Sequence, residues 1–164
     1  SISKNISEMN LMLNHYLDFI KNEKNENLDE IDTQDFIRDL TFDYSKLHVT
    51  KNESSKILIR KNQISRAIIN ILDNANKFAE KIFISSYISE TKWDIVIDDD
   101  GPGTSLSQEQ LVKPFIKGSK QLKQGTGLGL SIVQKLMKLN NGKLRFEKSS
   151  HGGLKVIISL EINN

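Results

Sequence analysis

Residues 63–79 read QISRAIINILDNANKFA and predict a long amphipathic helix. The opposite side of this helix carries Asn70, Asn74 and Lys77. A helix with a broad apolar side must pack on other elements, which makes it the centre of a globular fold. At about 100° per residue, the apolar residues share one side: Ile64, Ala67, Ile68, Ile71, Leu72, Ala75 and Phe78.

Strands are expected on both sides of this helix, because apolar and polar residues alternate there over short stretches. Helices and strands mix without a regular βαβ order, which favours an α+β layered sandwich. The predicted strands cover residues 56–61, 82–89, 93–98, 143–147 and 154–162. The other predicted helices cover residues 33–47, capped by Asp32 or Thr33, then 108–112 and 128–139.

The chain has the size and composition of one globular domain. It has 164 residues, a net charge of +2 and no cysteine. So small a charge gives no reason to expect a nucleic-acid partner, and a chain without cysteine has neither disulfides nor thiolate metal sites. No apolar stretch is long enough to span a bilayer. Ser1 already lies in a helical pattern, so we expect the chain to be a piece of a longer protein.

Residues 1–25 show a heptad pattern, which is typical of helices packed side by side in a coiled coil or bundle. A helix docked on its own domain is the alternative. Residues 26–32 are polar and acidic and are predicted to be a linker to the globular part, residues 33–164. The apolar residues of the heptad seam follow in steps of four and three: Ile2, Ile6, Met9, Leu13, Tyr16 and Ile20.

Three polar side chains form a stripe on the central helix. Asn70 and Asn74 lie one turn apart, and Lys77 continues the stripe. Asn is a poor helix former because its amide competes for backbone hydrogen bonds. Amide oxygens suit Mg²⁺, which takes few protein ligands, and a nearby lysine suits phosphate. A solvated helix face is the alternative.

Acids and glycines follow the predicted strand 93–98 abruptly, as Asp98-Asp99-Asp100-Gly101-Pro102-Gly103. The glycines allow a sharp turn and a close approach of the backbone to a ligand. A carboxylate at a strand end can accept a hydrogen bond from an exocyclic amine such as that of adenine. The alternatives are a plain acidic turn and a calcium loop, although the ligand spacing of an EF-hand is absent.

A glycine-rich stretch leads into the helix predicted at residues 128–139. Gly125, Gly127 and Gly129 alternate with Thr126 and Leu128. Their N–H groups and the helix N-terminus would together form a phosphate cradle. The spacing is neither that of a P-loop nor that of a dinucleotide-binding turn, and a hinge loop is the alternative.

The stretch between the last two motifs is basic and has little core-forming material. We interpret it as a mobile lid whose lysines can meet phosphate, with a surface loop as the alternative. Pro114 and Phe115 are its predicted apolar anchor, and its lysines are Lys113, Lys117, Lys120 and Lys123.

In their order along the chain, these motifs resemble the N, G1, F and G2 boxes of the histidine-kinase ATP-binding domain. That domain belongs to the GHKL superfamily, with HSP90, DNA gyrase B and MutL. The likeness is strongest to EnvZ-type osmosensor kinases. It implies the Bergerat fold, an α/β sandwich with a mixed sheet and helices on one face. The preceding helix resembles the second helix of the dimerisation and histidine-phosphotransfer bundle. The matching segments are residues 70–78, 99–103, 114–118 and 125–133.

The resemblance also implies roles for single residues. Asn74 would ligate the Mg²⁺ bound to ATP, with Asn70 in support, and Lys77 would touch phosphate. Asp99 would accept a hydrogen bond from the adenine amine. The other residues of the predicted nucleotide site are Phe78, Gly101, Gly103, Lys117, Gly118, Gly125, Thr126, Gly127, Leu128, Gly129 and Leu130.

The implied function is that of a two-component sensor kinase. In such a protein the γ-phosphoryl group of ATP passes to a bundle histidine, and from there to an aspartate of a response regulator. The bundle would belong to the same chain or to a sister protomer of a homodimer. His15, His48 and His151 lack the context of the phosphoacceptor, so this chain is not expected to phosphorylate itself. The parent would be a membrane sensor with this domain in the cytoplasm.

Two other functions remain open at this point. One is an ATP-driven conformational switch of the gyrase or HSP90 kind, and the other is a regulatory nucleotide-binding module. The switch proteins use a Glu as water-activating base at the position that Asn70 occupies here, which disfavours hydrolysis.

Overall fold

A computed structural model describes residues 2–23, 26–113 and 129–162. The chain is α+β, as predicted, and helices and strands alternate irregularly along these residues. The elements are α1 (Ile2–Glu23), β1 (Asp29–Asp32), α2 (Thr33–Thr41), β2 (Leu47–Asn52), β3 (Lys56–Ile59), α3 (Lys61–Phe78), β4 (Ile82–Ile88), β5 (Lys92–Asp99), α4 (Gln108–Leu111), α5 (Gly129–Leu139), β6 (Lys143–Lys148) and β7 (Leu154–Glu161).

Five strands form one mixed sheet in the order β2-β4-β5-β7-β6. β2 runs parallel to β4, whereas the other three pairs are antiparallel. β1 and β3 form a separate two-stranded antiparallel sheet. Helices α2, α3 and α5 pack on the sheet face that carries Trp93, Ile95 and Ile97, and together they enclose the hydrophobic core. This is the predicted sandwich of helices on one face of a mixed sheet.

Helix α3 joins the core to the predicted polar stripe. Its buried side is the apolar side that the sequence predicts, except that Phe78 is only half-buried and Gln63 is fully buried. The Gln63 side chain is satisfied, because its Oε1 accepts a hydrogen bond from Nδ2 of Asn140 at 2.7 Å. The core therefore fixes the rotation of α3 and, with it, the direction of Asn70 and Asn74.

Strand β5 alternates strictly between the two faces of the sheet. Trp93, Ile95, Ile97 and Asp99 are buried, while the residues between them are more exposed. A strand points every second side chain to the same face, so the strand itself places the Asp99 carboxylate on the core side.

The N-terminus of α3 is capped from a distant part of the chain. Its N-cap residue, Arg60, makes no side-chain cap. Instead, the carboxylate of Glu26 accepts hydrogen bonds from the backbone N–H groups of Asn62 (2.7 Å) and Gln63 (3.0 Å). Nε of Arg60 donates in return to the backbone oxygen of Glu26 at 3.1 Å. A carboxylate at this end of a helix satisfies free donors and complements the helix dipole.

Three local predictions differ from the structure. The helix predicted over residues 33–47 ends at Thr41, so Tyr44 and Leu47 lie beyond it, although both still pack against the core. Strand β2 was not predicted and begins within that stretch. Part of the predicted linker, Asp29–Asp32, forms strand β1 and pairs with β3. The predicted cap is confirmed, because the Asp32 side chain accepts from the N–H of Asp35.

Helix α1 presents apolar side chains to solvent. Ile2, Ile6, Met9 and Leu13 of the heptad seam are all exposed, so these residues are not docked on their own domain. A bundle partner for this helix stays a prediction. In the described part of the chain, none of the helices has both the length and the apolar character that crossing a membrane requires.

The buried indole of Trp93 gives a test of the core. Its Nε1 donates to the hydroxyl of Ser86 at 2.8 Å, and both side chains are fully buried. Ser86→Ala is expected to lower the free energy of unfolding by about 1–3 kcal/mol, because the indole N–H loses its acceptor away from water. Urea unfolding followed by Trp93 emission and by circular dichroism measures this loss.

Ser85→Ala is the matched control for that measurement. The Ser85 hydroxyl bonds to Thr50 at the surface, so its removal should cost much less. Equal losses for the two variants would contradict the role given to the Trp93–Ser86 bond.

Candidate functional site

Asp99 lies at the centre of the predicted site and is buried, with a relative exposure of 9%. Its Oδ1 accepts hydrogen bonds from the backbone N–H groups of Gly101 (2.9 Å) and Leu154 (3.3 Å). No described residue donates a hydrogen bond to Oδ2. The carboxylate is therefore held on one side by the backbone and keeps one oxygen for a ligand.

The three consecutive aspartates have different environments. Burial raises the pKa of Asp99, the two backbone N–H bonds partly oppose this, and the charges of Asp98 and Asp100 add to it. The half-buried Asp100 is the reverse case, since the N–H groups of Lys81 and Glu80 donate to its carboxylate and lower its pKa. Asp98 points to the outer face of the sheet, so only Asp99 can serve the pocket.

A narrow pocket opens beside Asp99, between α3 and the loop that follows β5. Its walls are mostly apolar and contain one carboxylate and one amide, groups that can recognise a flat heterocycle with an exocyclic amine. Its own volume is only about 20 Å³, so such a ligand would also need the space beside it. A larger cavity of about 610 Å³ adjoins it and shares five of its lining residues. The pocket is lined by Asn74, Ala75, Phe78, Asp99, Pro102, Gly103, Thr104, Leu111, Leu130 and Leu154.

The structure thus brings Asn74, Phe78, Asp99, Gly103 and Leu130 of the predicted site to one pocket. They come from α3, from β5 and the loop after it, and from the start of α5, which are far apart in the sequence. A ligand that fills this pocket would touch all three parts of the fold.

The polar side of α3 extends away from this pocket. Nδ2 of Asn70 is buried and has no hydrogen-bond partner among the described residues, whereas Lys77 is exposed. A buried donor without an acceptor is costly, and an anionic oxygen such as that of a phosphate would satisfy it. The described residues contain no group of three or more acids or histidines that could hold a metal by itself. An ion here would need further ligands from a bound molecule and water, which is how Mg²⁺ is commonly held.

The two glycines after Asp99 act differently. Gly103 has a φ of +69°, a conformation that side-chain-bearing residues rarely adopt. Gly101 donates its N–H to Asp99, and a Cβ there would lie 3.0 Å from the Asp99 carboxylate and 3.4 Å from the backbone of Phe78. Gly101 thus allows close packing around the carboxylate.

Part of the predicted site lies outside the described residues. Gly129 and Leu130 are the first residues of α5, and no atom of the described residues lies within 4 Å of a Cβ placed on Gly129, apart from its chain neighbours and its own helix. Of the basic stretch, only Lys113 is described, and it is exposed. The predicted site residues outside the described ranges are Lys117, Gly118, Gly125, Thr126, Gly127 and Leu128.

Two apolar wall residues of the pocket, Leu111 and Leu154, were not predicted from the sequence. Leu111 belongs to the one-turn helix α4, and Leu154 is the first residue of β7. The only signal for Leu154 is the Gly152-Gly153 pair before it, which lies between two predicted strands. Leu111 carries no local signal, because a single leucine in a short turn is common in any surface loop.

Comparisons with known proteins show to which family and fold the chain belongs. The sequence profile described as "Histidine kinase-, DNA gyrase B-, and HSP90-like ATPase" matches residues 59–164. The sensor histidine kinase CpxA of Escherichia coli K12 is 34% identical over 106 residues, which are 62% of this chain and 23% of CpxA. The chain therefore spans about a quarter of that relative.

Solved structures show the same fold. The histidine kinase AdeS of Acinetobacter baumannii has a TM-score of 0.72 at 23% identity, and the match covers 98% of this chain and 82% of the AdeS chain. The histidine kinase domain of the E. coli osmosensor EnvZ has a TM-score of 0.63 at 28% identity, and the match covers 84% of this chain and 91% of that domain.

The raised pKa of Asp99 predicts how stability depends on pH. The folded chain keeps this proton to a higher pH than the unfolded chain, so the stability it contributes is full below 3.8 and is lost as the pH rises through the raised pKa. Asp99→Asn removes the buried charge, and it is expected to raise the melting temperature by a few degrees at neutral pH. The gain should shrink as the pH approaches 4 in thermal unfolding experiments.

Asp100→Asn serves as a control of opposite sign. The pKa of Asp100 is lowered, so its charge stabilises the fold at neutral pH, and this variant should melt lower there. A lower melting temperature for Asp99→Asn over the whole pH range would contradict the account of the buried carboxylate.

Proposed function

The chain belongs to the family of histidine kinase-, DNA gyrase B- and HSP90-like ATPases, as an ATP-binding domain of the histidine kinase type, and from this we propose its chemistry. It binds ATP with Mg²⁺ in the pocket at Asp99 and donates the γ-phosphoryl group to a histidine of a dimerisation bundle. The observation that carries this proposal is the convergence of Asp99, Asn74 and Leu130 on one pocket.

The adenine would be recognised by the end of β5. Oδ2 of Asp99 accepts from the exocyclic amine, while Oδ1 stays bound to the N–H groups of Gly101 and Leu154. The raised pKa supports this role, because a buried carboxylate gains more from a hydrogen-bond donor than an exposed one does. Phe78 and Leu130 contact the faces of the base.

The phosphates would lie along the polar side of α3. Asn74 would hold the metal through its amide oxygen, and the buried Nδ2 of Asn70 would donate to a phosphate oxygen. Lys77 adds a positive charge from the helix surface. Lys117, Gly118, Gly125, Thr126, Gly127, Leu128 and Gly129 are proposed to close the phosphate site on its other side.

The residues of this domain take no covalent part in the transfer. Bound Mg²⁺ would neutralise charge on the phosphates. The domain itself fixes the base, holds the phosphates with N–H groups and lysines, and excludes water, so that the γ-phosphoryl group faces the attacking histidine in line.

The position of the one acidic side chain on α3 favours phosphoryl transfer over hydrolysis of ATP. Within this helix, Asp73 is the only carboxylate. It accepts a hydrogen bond from the hydroxyl of Tyr44 at 2.6 Å and so faces the segment that follows α2 rather than the polar stripe. The alternative, an ATP-driven switch, needs an acid that activates water at the phosphates, and α3 offers an amide at Asn70 instead.

The proposed setting follows from the relatives. CpxA is named a sensor histidine kinase, and EnvZ is named an osmosensor. We propose that the whole protein is a homodimeric membrane sensor with this domain in the cytoplasm, that its bundle histidine belongs to the same or the sister protomer, and that a response regulator receives the phosphoryl group.

Replacing Asn74 tests the metal site. Asn74→Ala is expected to weaken ATP binding by about tenfold or more in the presence of Mg²⁺, because the ion loses its protein ligand. The loss should be small in EDTA. Calorimetric titration with and without Mg²⁺ measures both values. Asn76→Ala is the matched control, since this exposed asparagine lies on another side of the same helix. Equal losses with and without Mg²⁺ would argue against ligation by Asn74.

Transfer of label tests the activity itself. The chain is mixed with a bundle fragment that carries the phosphoacceptor histidine, and ATP labelled in the γ-phosphate is added. We expect label on the bundle in an acid-labile, base-stable bond, as a phosphohistidine requires, and much less label with Asp99→Asn. Release of free phosphate at a steady rate, without labelled bundle, would favour the ATP-driven switch instead.

A further inference from the structure

The turn between β6 and β7 is closed by its own hydrogen bonds. The N–H of Ser149 donates to the oxygen of Gly153 at 2.9 Å, and the N–H of Gly152 donates to the oxygen of Ser149 at 3.1 Å. The buried Ser149 also accepts through its hydroxyl from the N–H of His151 at 2.9 Å. Residues 149–153, which we name the β6–β7 turn, therefore form a compact, hydrogen-bonded unit.

This turn lies directly against Asp99. The N–H of Gly153 donates to the backbone oxygen of Asp99 at 3.1 Å, and the N–H of Leu154 donates to Oδ1 of its carboxylate. A Cβ on Gly153 would overlap the Asp99 carboxylate and would lie 2.7 Å from the backbone nitrogen of Gly101. Real side chains essentially never come so close, so only glycine at position 153 lets the turn and the carboxylate keep this arrangement.

An aromatic contact fastens the same turn to the sheet. The ring of His151 stacks on Phe83 of β4, with 4.1 Å between the ring centroids and 15° between the planes. Phe83 is paired in register with Asp98, the neighbour of Asp99 on β5. His48 of β2 stacks on Phe83 as well, at 5.5 Å, but it is not part of the turn.

We propose that the β6–β7 turn is a positioning element for adenine recognition. Gly153 admits the turn to the back of Asp99, His151 fastens it to the sheet, and the N–H of Leu154 orients the carboxylate so that Oδ2 meets the exocyclic amine of the base. This inference rests on the proposed binding of ATP at Asp99. Gly153 and His151 act through Asp99 and need not touch the nucleotide.

The readout is discrimination between two nucleotides that differ only in the amine. ATP and purine riboside triphosphate, which lacks the 6-amino group, are titrated into each variant by calorimetry. The wild-type chain should prefer ATP by about 10- to 100-fold, which corresponds to one hydrogen bond to a charged group. Asp99→Asn should lose most of that preference, and its remaining preference for ATP is the floor with which the other variants are compared.

Gly153→Ala is expected to lower the preference for ATP to within about threefold of that floor, because the added methyl group displaces the carboxylate. Combining Gly153→Ala with Asp99→Asn should add little further loss of preference, since both changes remove the same interaction. Melting temperatures of all variants show whether each is folded.

His151 gives a second test that does not strain the backbone. His151→Ala should reduce the preference for ATP, and His151→Phe, which retains a ring on Phe83, should restore it. His48→Ala is the matched control, because it removes a ring from Phe83 without touching the turn, and it should leave the preference unchanged.

The outcomes distinguish the role of Asp99 in binding adenine from the role of the β6–β7 turn in positioning Asp99. If the wild-type chain binds both nucleotides equally, the role of Asp99 fails and the positioning role fails with it. If Asp99→Asn loses the preference while folded Gly153→Ala and His151→Ala both keep it, only the positioning role of the turn is overturned. Equal effects of His151→Ala and His48→Ala would also overturn it.

Discussion

The carboxylate of Asp99 lies where the alternation of β5 would otherwise place another core side chain, and the surrounding backbone is arranged to accommodate it. Two N–H groups hold one of its oxygens, and two glycines, Gly101 and Gly153, pack against it where a Cβ would intrude. Asp100 fastens the same loop to the end of α3 by binding the N–H groups of Glu80 and Lys81. Burying a charge without a counter-charge is unfavourable for folding. A role in binding a ligand would account for a carboxylate that folding alone disfavours.

Helix α3 connects that site to the stability of the whole domain. One side supplies much of the core, and the other carries Asn70 and Asn74. Side chains on a helix that is fixed by a packed core are held more precisely than side chains on a loop. The hydrogen bond between Tyr44 and Asp73 also helps to define this site, because it keeps the carboxylate of α3 away from the polar stripe.

Much of this could be predicted from sequence, because the deciding patterns are local. The apolar side of α3 and the inward alternation of Trp93, Ile95 and Ile97 are periodic signals, and the second one continues to Asp99. Strands β1 and β2 carry no such signal. β1 has four residues, three of them acidic, and β2 is largely exposed and pairs in parallel with β4, across α3 in the sequence. The contact of Gly153 with Asp99 joins residues far apart in the chain, and only the folded structure shows it.

The long-range cap on α3 has a mechanical consequence. The chain enters the domain through Glu26, whose carboxylate holds the first turn of α3 and whose backbone oxygen is held by Arg60. If Glu26 were pulled away, the first N–H groups of α3 would lose their acceptor, so the disturbance would reach the helix that carries Asn70 and Asn74. The entry to the domain is therefore coupled directly to α3 by hydrogen bonds.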